Sequence, residues 1–272
     1  MSAIITSNFR LDNSRNFYNS LDVDSLYVFV GKSDHWDTTL AGTSDASVPT
    51  PADDQYDQRS AWNNMIAMKK ITATNLIGIS RRTNWTSGNS YVAWDDADAN
   101  ILTSDFYVLT DQYNVYKCLK SGSGTSTVKP TSTGYTPFKT SDGYVWKYMY
   151  HIDATYLQFL TTDYMPVKTI PVDPVTGPDV DQWGVQQNST GDAGKIYRVV
   201  VTNGGTGYTT ATATITGDGT SATATCTVSG GSVTAINIDI SNANPNLWTT
   251  GSGYNNAIVT DRKSTRLNSS HT

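Results

Sequence analysis

The chain has 272 residues, enough for one large or two modest domains with a real core. Charged residues make up 16% and hydrophobic ones 38%, with Thr, Ser, Asn, Gly and Tyr filling much of the rest, a profile of polar turns and strands that argues against a helical bundle. The formal net charge of -5, with no basic block, excludes a general nucleic-acid surface, because phosphate contacts demand clustered Lys and Arg.

Taken in order, Ile4 to Arg10 reads as a short extended segment. Asp12 or Asn13 can then cap a brief helix presenting Phe17 and Leu21 on one face. The first ten residues, MSAIITSNFR, hold no long apolar core of the kind a secretory signal needs. Leu26 to Gly31 is expected to be a buried strand ended by glycine, and its apolar run is far too short to span a bilayer. Synthesis in a cytoplasm, as a soluble or assembled protein without a membrane partner, is the expectation. Lys32 to Thr50 is a polar loop with His35 and Trp36. The one long helix expected follows, with Thr50 as N-cap, Pro51 at the first helical position and Asp53, Asp54 and Asp57 near its positive end. Trp62, Met65 and Ile66 form its apolar stripe, and Lys69 and Lys70 suit its negative end.

Ile71 to Trp85 reads as a strand ending in Arg81-Arg82-Thr83-Asn84-Trp85. Phe106 to Leu109 and Tyr113 to Leu119 form a hairpin around Thr110-Asp111-Gln112. Ser121 to Pro137 is a loop leading into Ser141 to Ile152, SDGYVWKYMYHI, about which the body is organised. Ser-Asp-Gly is turn chemistry, with Asp142 bonding nearby backbone and Gly143 free to take positive φ. Tyr144, Trp146, Tyr148 and Tyr150 then alternate with Val145, Lys147, Met149 and His151. Both faces carry large side chains, so this strand needs neighbours on two sides. Asp153 can cap a short helix through Leu160, and the prolines at 166, 171, 174 and 178 space out an extended crossing that Trp183-Gly184 ends.

From Gly194 the style changes to alternating strands, Ile196 to Val201, Ala211 to Ile215, Ala222 to Val228 and Val233 to Ile240, punctuated by glycine turns. Gly205-Thr206-Gly207-Tyr208-Thr209-Thr210-Ala211 recurs as Gly251-Ser252-Gly253-Tyr254-Asn255-Asn256-Ala257, a repeat whose second copy is interrupted. The last twelve residues, Asp261 to Thr272, resemble the conceptual translation of a sequencing-adapter oligonucleotide and are expected to be non-native. Without them the balance moves from -5 to about -7. The fold expected is α+β, predominantly antiparallel β: a β-sandwich-like body with few helices over 1–190, and a small all-β repeat module over 191–260.

Several stretches carry a family resemblance. They are Ile5-Thr6-Ser7 with Phe9-Arg10, Asn16 to Ser20, Phe29 to Ser33 closing at Trp36, Arg81-Arg82 with Trp85, Asp142 to Trp146, and Ile196 to Val199. In that order they resemble the baseplate wedge protein of T-even-type contractile-tailed bacteriophages, in a version with a glycine-tyrosine β-repeat. The resemblance runs colinearly from about residue 4 to 200. It implies a non-enzymatic β-rich subunit of the virion tail baseplate, assembled in the host cytoplasm, homodimeric, and joined to other wedge subunits.

Reactive chemistry is thin. His35 and His151 are the only histidines outside the final segment, too few for a metal site without carboxylates from elsewhere, so no metal and no cofactor is expected. Asp96-Ala97-Asp98-Ala99-Asn100 resembles the start of a calcium loop, but Ile101 stands where the turn glycine belongs and Tyr107 where the closing carboxylate belongs. Helix-terminus electrostatics accounts for Asp53, Asp54 and Asp57, and Gly205-Thr206-Gly207 lacks the Lys-Ser/Thr of a phosphate loop. Cys118 and Cys226 show no ligand spacing and read as reduced thiols. The interface candidates are Arg81, Arg82 and Trp85, since arginine beside an aromatic is common at hot spots, with Trp146 and Tyr148 from the aromatic strand. The alternative function is a glycan-binding or host-adhesion module presenting the tyrosines of the repeat.

Overall fold

A computed structural model describes residues 7–21, 23–31, 35, 47, 50, 52–95, 98–177, 179–187, 194–241 and 244–264. Trp36, Pro51, Pro178, the pair Asp96-Ala97 and the segment 265–272 lie outside the described residues. The chain divides into two compact units, 1–78 and 79–272.

The first unit holds helix α1 (Ser7–Ser20), strand β1 (Tyr27–Gly31), helix α2 (Gln55–Asn63) and strand β2 (Met65–Lys70). The segment expected to be extended through Arg10 is therefore helical from Ser7 onward. Of the two residues expected on its apolar face, Leu21 is buried and Phe17 is exposed. The long helix expected from Thr50 is shorter and starts later. Its N-cap is Asp54, whose carboxylate accepts the Asp57 amide at 2.7 Å, while Asp57 in turn accepts from the Ala52 amide. Asn64 closes it, and Met65 to Lys70 leave the helix to pair antiparallel with β1, Tyr27 opposite Lys70 and Phe29 opposite Met68. A helical stripe and a strand partner competed for Met65 and Ile66, and cross-strand pairing decided it. Gly31 permits the close approach, since a Cβ there would stand 2.6 Å from the Asn64 carbonyl oxygen. β1 is exposed along its length in this chain, contrary to the buried strand expected.

The second unit is built on a four-stranded antiparallel sheet. Strand β3 (Ile79–Arg81) is all that forms of the strand expected over 71–85; a 3₁₀ turn, Ala73–Asn75, interrupts the run in the unit before it. Strands β4 (Tyr107–Leu109) and β5 (Asn114–Lys120) form the expected hairpin, with Tyr113 at φ +58 supplying the left-handed residue that follows its three-residue turn. Strands β6 (Phe138–Lys139) and β7 (Val145–His151) complete the sheet in the order β4-β5-β7-β6, which makes β7 an interior strand. Strand β8 (Tyr164–Pro166) pairs with β3. Asp153 accepts the Thr155 amide in a turn, and only a 3₁₀ segment, Leu157–Phe159, follows it.

Helix α3 (Val180–Gln187) was hidden in sequence by the prolines before it and by Gly184 within it. It pins the proline segment by side chains that imitate backbone. Gln186 exchanges two hydrogen bonds with the Ile170 backbone, and Gln182 Nε2 donates to the Lys168 carbonyl. The Lys168 ammonium, almost wholly buried, sits 2.6 Å from Asp153 and 2.5 Å from Asp179, with the Tyr156 ring 5.5 Å away. Burial works to lower the Lys168 pKa, and the two carboxylates outweigh it and raise it above 10.5. Burial likewise opposes, and Lys168 reverses, the shift at Asp153, which ends below 3.8. A raised lysine stabilises the fold at all lower pH and loses that contribution as pH climbs through its folded value; a depressed aspartate loses its contribution as pH falls below 3.8. Lys168→Met should therefore cost about 3 kcal/mol at neutral pH, because it strands two carboxylates, and it should flatten the alkaline fall in stability seen in urea titrations.

The remaining strands are β9 (Thr210–Gly217), β10 (Thr220–Ala222), β11 (Ala224–Ser229), β12 (Ser232–Ile238), β13 (Thr250–Ser252) and β14 (Ala257–Ser264). They form a sheet β12-β11-β9-β14 and a short pair β10-β13. Ile196 to Val201 is not a strand; Val199 makes one bridge to Ile236. β14 runs on through Asp261, Arg262 and Lys263, pairing them with Ala213, Thr212 and Ala211. The architecture is thus α+β with predominantly antiparallel sheet.

Candidate interface surfaces

The five interface candidates divide into an inner and an outer set. Trp146 is 0% exposed and Tyr148 2% exposed, and both sit in the aromatic core with Tyr91, Tyr116, Tyr144 and Val185. Trp146 stacks on Tyr144 at 5.6 Å and meets Tyr91 edge-on at 5.7 Å. On the opposite face Val145 packs with Ile238, Ile240 and Trp248. The strand does need neighbours on two sides, and its own chain supplies both. Trp146 and Tyr148 therefore fill the core of this chain and do not stand on its surface.

Arg81, Arg82 and Trp85 lie on and just after β3. The Arg81 guanidinium reaches the Thr103 and Ser104 carbonyls and the Asp105 carboxylate, while the Tyr107 hydroxyl donates to the Arg81 carbonyl. Arg82 donates to the Asn84 side chain at 2.8 Å and to the Thr161 carbonyl at 2.7 Å. Both arginines, with Asp163 and Tyr164, line a shallow hollow of about 330 Å³. Trp85 is half-buried against the aromatic core and donates its indole N–H to Ser126 Oγ at 3.1 Å. Both arginines are thus half-buried and bonded to their own chain, Arg81 to the carboxylate of Asp105 and Arg82 to neutral oxygens alone, which leaves the Arg82 charge without a carboxylate among these bonds.

The reactive groups examined in sequence are engaged structurally. His151 Nδ1 lies 2.9 Å from Asn114 Oδ1. Asp98 accepts from the Asn100 amide and the Ser104 hydroxyl, an arrangement of a turn. Burial pushes the Cys118 thiol up to about 12, which makes it inert as a nucleophile. Among the described residues no group of three His, Cys, Asp or Glu side chains converges as a metal site requires. Tyr254 is buried and its hydroxyl accepts from the Ala222 amide, while the Tyr208 hydroxyl donates to Asp261. Of the two repeat tyrosines, Tyr254 is directed into the protein, while Tyr208 stays half-buried at the surface.

Sequence reasoning missed an apolar surface in the first unit. Tyr27, Phe29, Ala61, Trp62, Met65 and Met68 line a hollow of about 240 Å³ between the β1-β2 ribbon and α2. The signal was present in the alternation of Tyr27 to Val30, but a run of that kind reads equally as buried strand or as uncovered surface.

A β-rich chain with polar groups spent on its own backbone and large apolar side chains left outside has the character of an assembly subunit. Two comparisons make this specific. Residues 3–120 match the family described as Bacteriophage T4, Gp8. The chain is also 26% identical over 240 residues to the baseplate wedge protein gp8 of Enterobacteria phage T4, a match that covers 72% of this chain and 70% of that protein. Both matches are thus to a protein of a tailed bacteriophage, and the second is to a component of its baseplate. The likeness is to the wedge protein of that baseplate in particular. Among the described residues no helix is long and apolar enough to cross a membrane.

Proposed function

We propose that this chain is a wedge subunit of a bacteriophage tail baseplate and works by protein–protein contact alone, as a homodimer that joins other wedge subunits, with no catalytic step, cofactor or nucleic acid involved. The observation that carries the reading is the match to a baseplate wedge protein over most of both chains. The commitment of Asp98, His151 and Cys118 to the fold supports it, since each is held by hydrogen bonds or burial that a reacting group could not spare. The hollow at Arg82 supplies a docking point for a partner carboxylate, where the planar guanidinium favours a two-point contact.

The division proposed is a wedge body to about residue 190, a Gly-Tyr repeat module over 191–260, and a non-native tail from 261. The two glycine pairs of the repeat share their backbone conformations, φ +61 and +75 at Gly205 and Gly207 against +62 and +75 at Gly251 and Gly253, which supports reading them as copies of one unit.

The test is co-expression with wedge subunits of the same phage, with masses read by light scattering. A dimer captured into a wedge complex is expected; a monomer that no wedge subunit retains overturns the reading. Arg82→Glu should weaken capture about ten-fold if the hollow takes a carboxylate, and should also lower the melting temperature by a few degrees, because it removes the bonds to Asn84 and to the Thr161 carbonyl.

A further inference from the structure

The β1-β2 ribbon is a two-stranded sheet with no third strand on either edge among the described residues. An isolated ribbon of this kind is marginal in water, and native proteins blunt such edges with charge, proline or a covering element. Here both faces are apolar and open. Tyr27, Phe29 and Met68 are about half exposed on the side of the hollow, and Val28 and Val30 are exposed on the other. Trp62, 67% exposed, stands over the same hollow from α2. On the hollow side these side chains offer on the order of 500 Å² of apolar surface, at the upper end of the roughly 300–600 Å² of the largest patch on an ordinary monomer. Val28, Val30 and Ile66 bring the two faces of the ribbon together to about 800 Å², the size of one side of a standard protein interface.

The chemistry of the ribbon selects the occupant. Tyr27–Gly31 and Met65–Lys70 contain no acidic residue and two lysines, one on each face: Lys70 opposite Tyr27 on the hollow side and Lys69 opposite Val28 on the other. A second copy of this chain is a poor fit, because a two-fold contact through the ribbon would gather four lysines without a carboxylate. The two methionines suit a pocket that adapts to a foreign side chain.

We propose that the β1-β2 ribbon is the docking site for an extended segment of a different baseplate subunit. That segment adds edge-on as a further strand, places one large apolar side chain in the hollow over Trp62, and presents carboxylates to Lys69 and Lys70. The proposal rests on the assembly reading above and names the surface and partner chemistry for it. Backbone hydrogen bonds supply affinity in such strand addition, and the pocketed side chain supplies specificity. Burial of the ribbon on assembly explains why a strand with the composition of a core is exposed in the isolated chain.

The test uses the full chain co-expressed with the wedge subunits of the same phage. Phe29→Asp with Met68→Asp should lower capture about thirty-fold or more, the loss of a hot-spot anchor, while far-UV circular dichroism, melting and the size of the isolated protein stay as in the wild type. Phe29→Ser serves where the charged pair perturbs folding, and Lys69→Glu with Lys70→Glu should also reduce capture. Amide exchange in β1 and β2 should slow in the complex. Capture at wild-type level by folded Phe29 variants overturns the proposal. So does a ribbon variant whose size falls by half while capture persists, since that would make a second copy the occupant. A wild-type chain that no wedge subunit captures overturns the assembly reading itself, a separate result from failure at the ribbon.

Discussion

Replacing Trp146 by alanine should destabilise the second unit by about 4 kcal/mol and lower its melting temperature by roughly 8–16 °C. The indole is wholly buried between the Tyr144 and Tyr91 rings, so truncation opens a cavity that a rigid sheet cannot close. Its N–H has no acceptor among the described residues. Trp146→Phe should for that reason cost only about 1–2 kcal/mol, since it fills most of the space and removes a buried donor that gains nothing. Urea unfolding at several protein concentrations checks both. A Trp146→Ala protein that melts normally but fails to bind wedge subunits would return this residue to the surface.

Asp142→Ala is the second large loss, about 3 kcal/mol. One carboxylate oxygen accepts from Ser126 Oγ and from the amides of Thr127 and Val128 at 2.8 and 2.9 Å; the other accepts from the Thr140 hydroxyl and the Tyr144 amide. The residue ties the loop 121–130 to the turn that launches β7. Deleting it leaves five donors to find new partners. Asp142→Asn keeps one acceptor oxygen and can serve one of the two sets, so its cost should fall between wild type and alanine. Burial works to raise the Asp142 pKa, and the bonds from Thr140, Val128, Thr127 and Tyr144 outweigh it, holding the group below 3.8. A depressed carboxylate contributes its stability above the unfolded value and loses it as pH falls toward the folded one. The wild type should therefore lose stability below about pH 4, and Asp142→Ala should show less of that fall.

What could be seen in sequence depended on how local the deciding contacts were. β4, β5 and β7 were legible because each carries its own signal: a turn, an alternation and strand-forming side chains within ten residues of one another. The helix from Thr50 was overdrawn because Met65 and Ile66 satisfy a helical stripe as well as a strand, and the partner that settles the matter, β1, lies some forty residues away. α3 was missed because its support comes from Ile170 and Lys168 in a segment that reads only as prolines. Two of the surface candidates lie in the interior for a related reason. Trp146 and Tyr148 have the composition of an interface and the position of a core, and composition alone does not separate the two. For Leu26 to Gly31 the error ran in the opposite direction, where residues typical of an interior lie outside.

The pairing of β9 with β14 has a consequence during synthesis. Residues 214–217 leave the ribosome well before 257–260, the part of β14 ahead of the proposed tail that covers their outer edge, has been made. At about 5–20 residues per second that edge stays open for several seconds on each nascent chain, beside identical chains on the same polysome. Threonine at alternate positions of TATATITG gives it high strand preference and little charge to deter a neighbour. Slower translation through the region after Gly217 is therefore expected to raise the share of aggregated chain, which expression from fast and slow synonymous codons would measure.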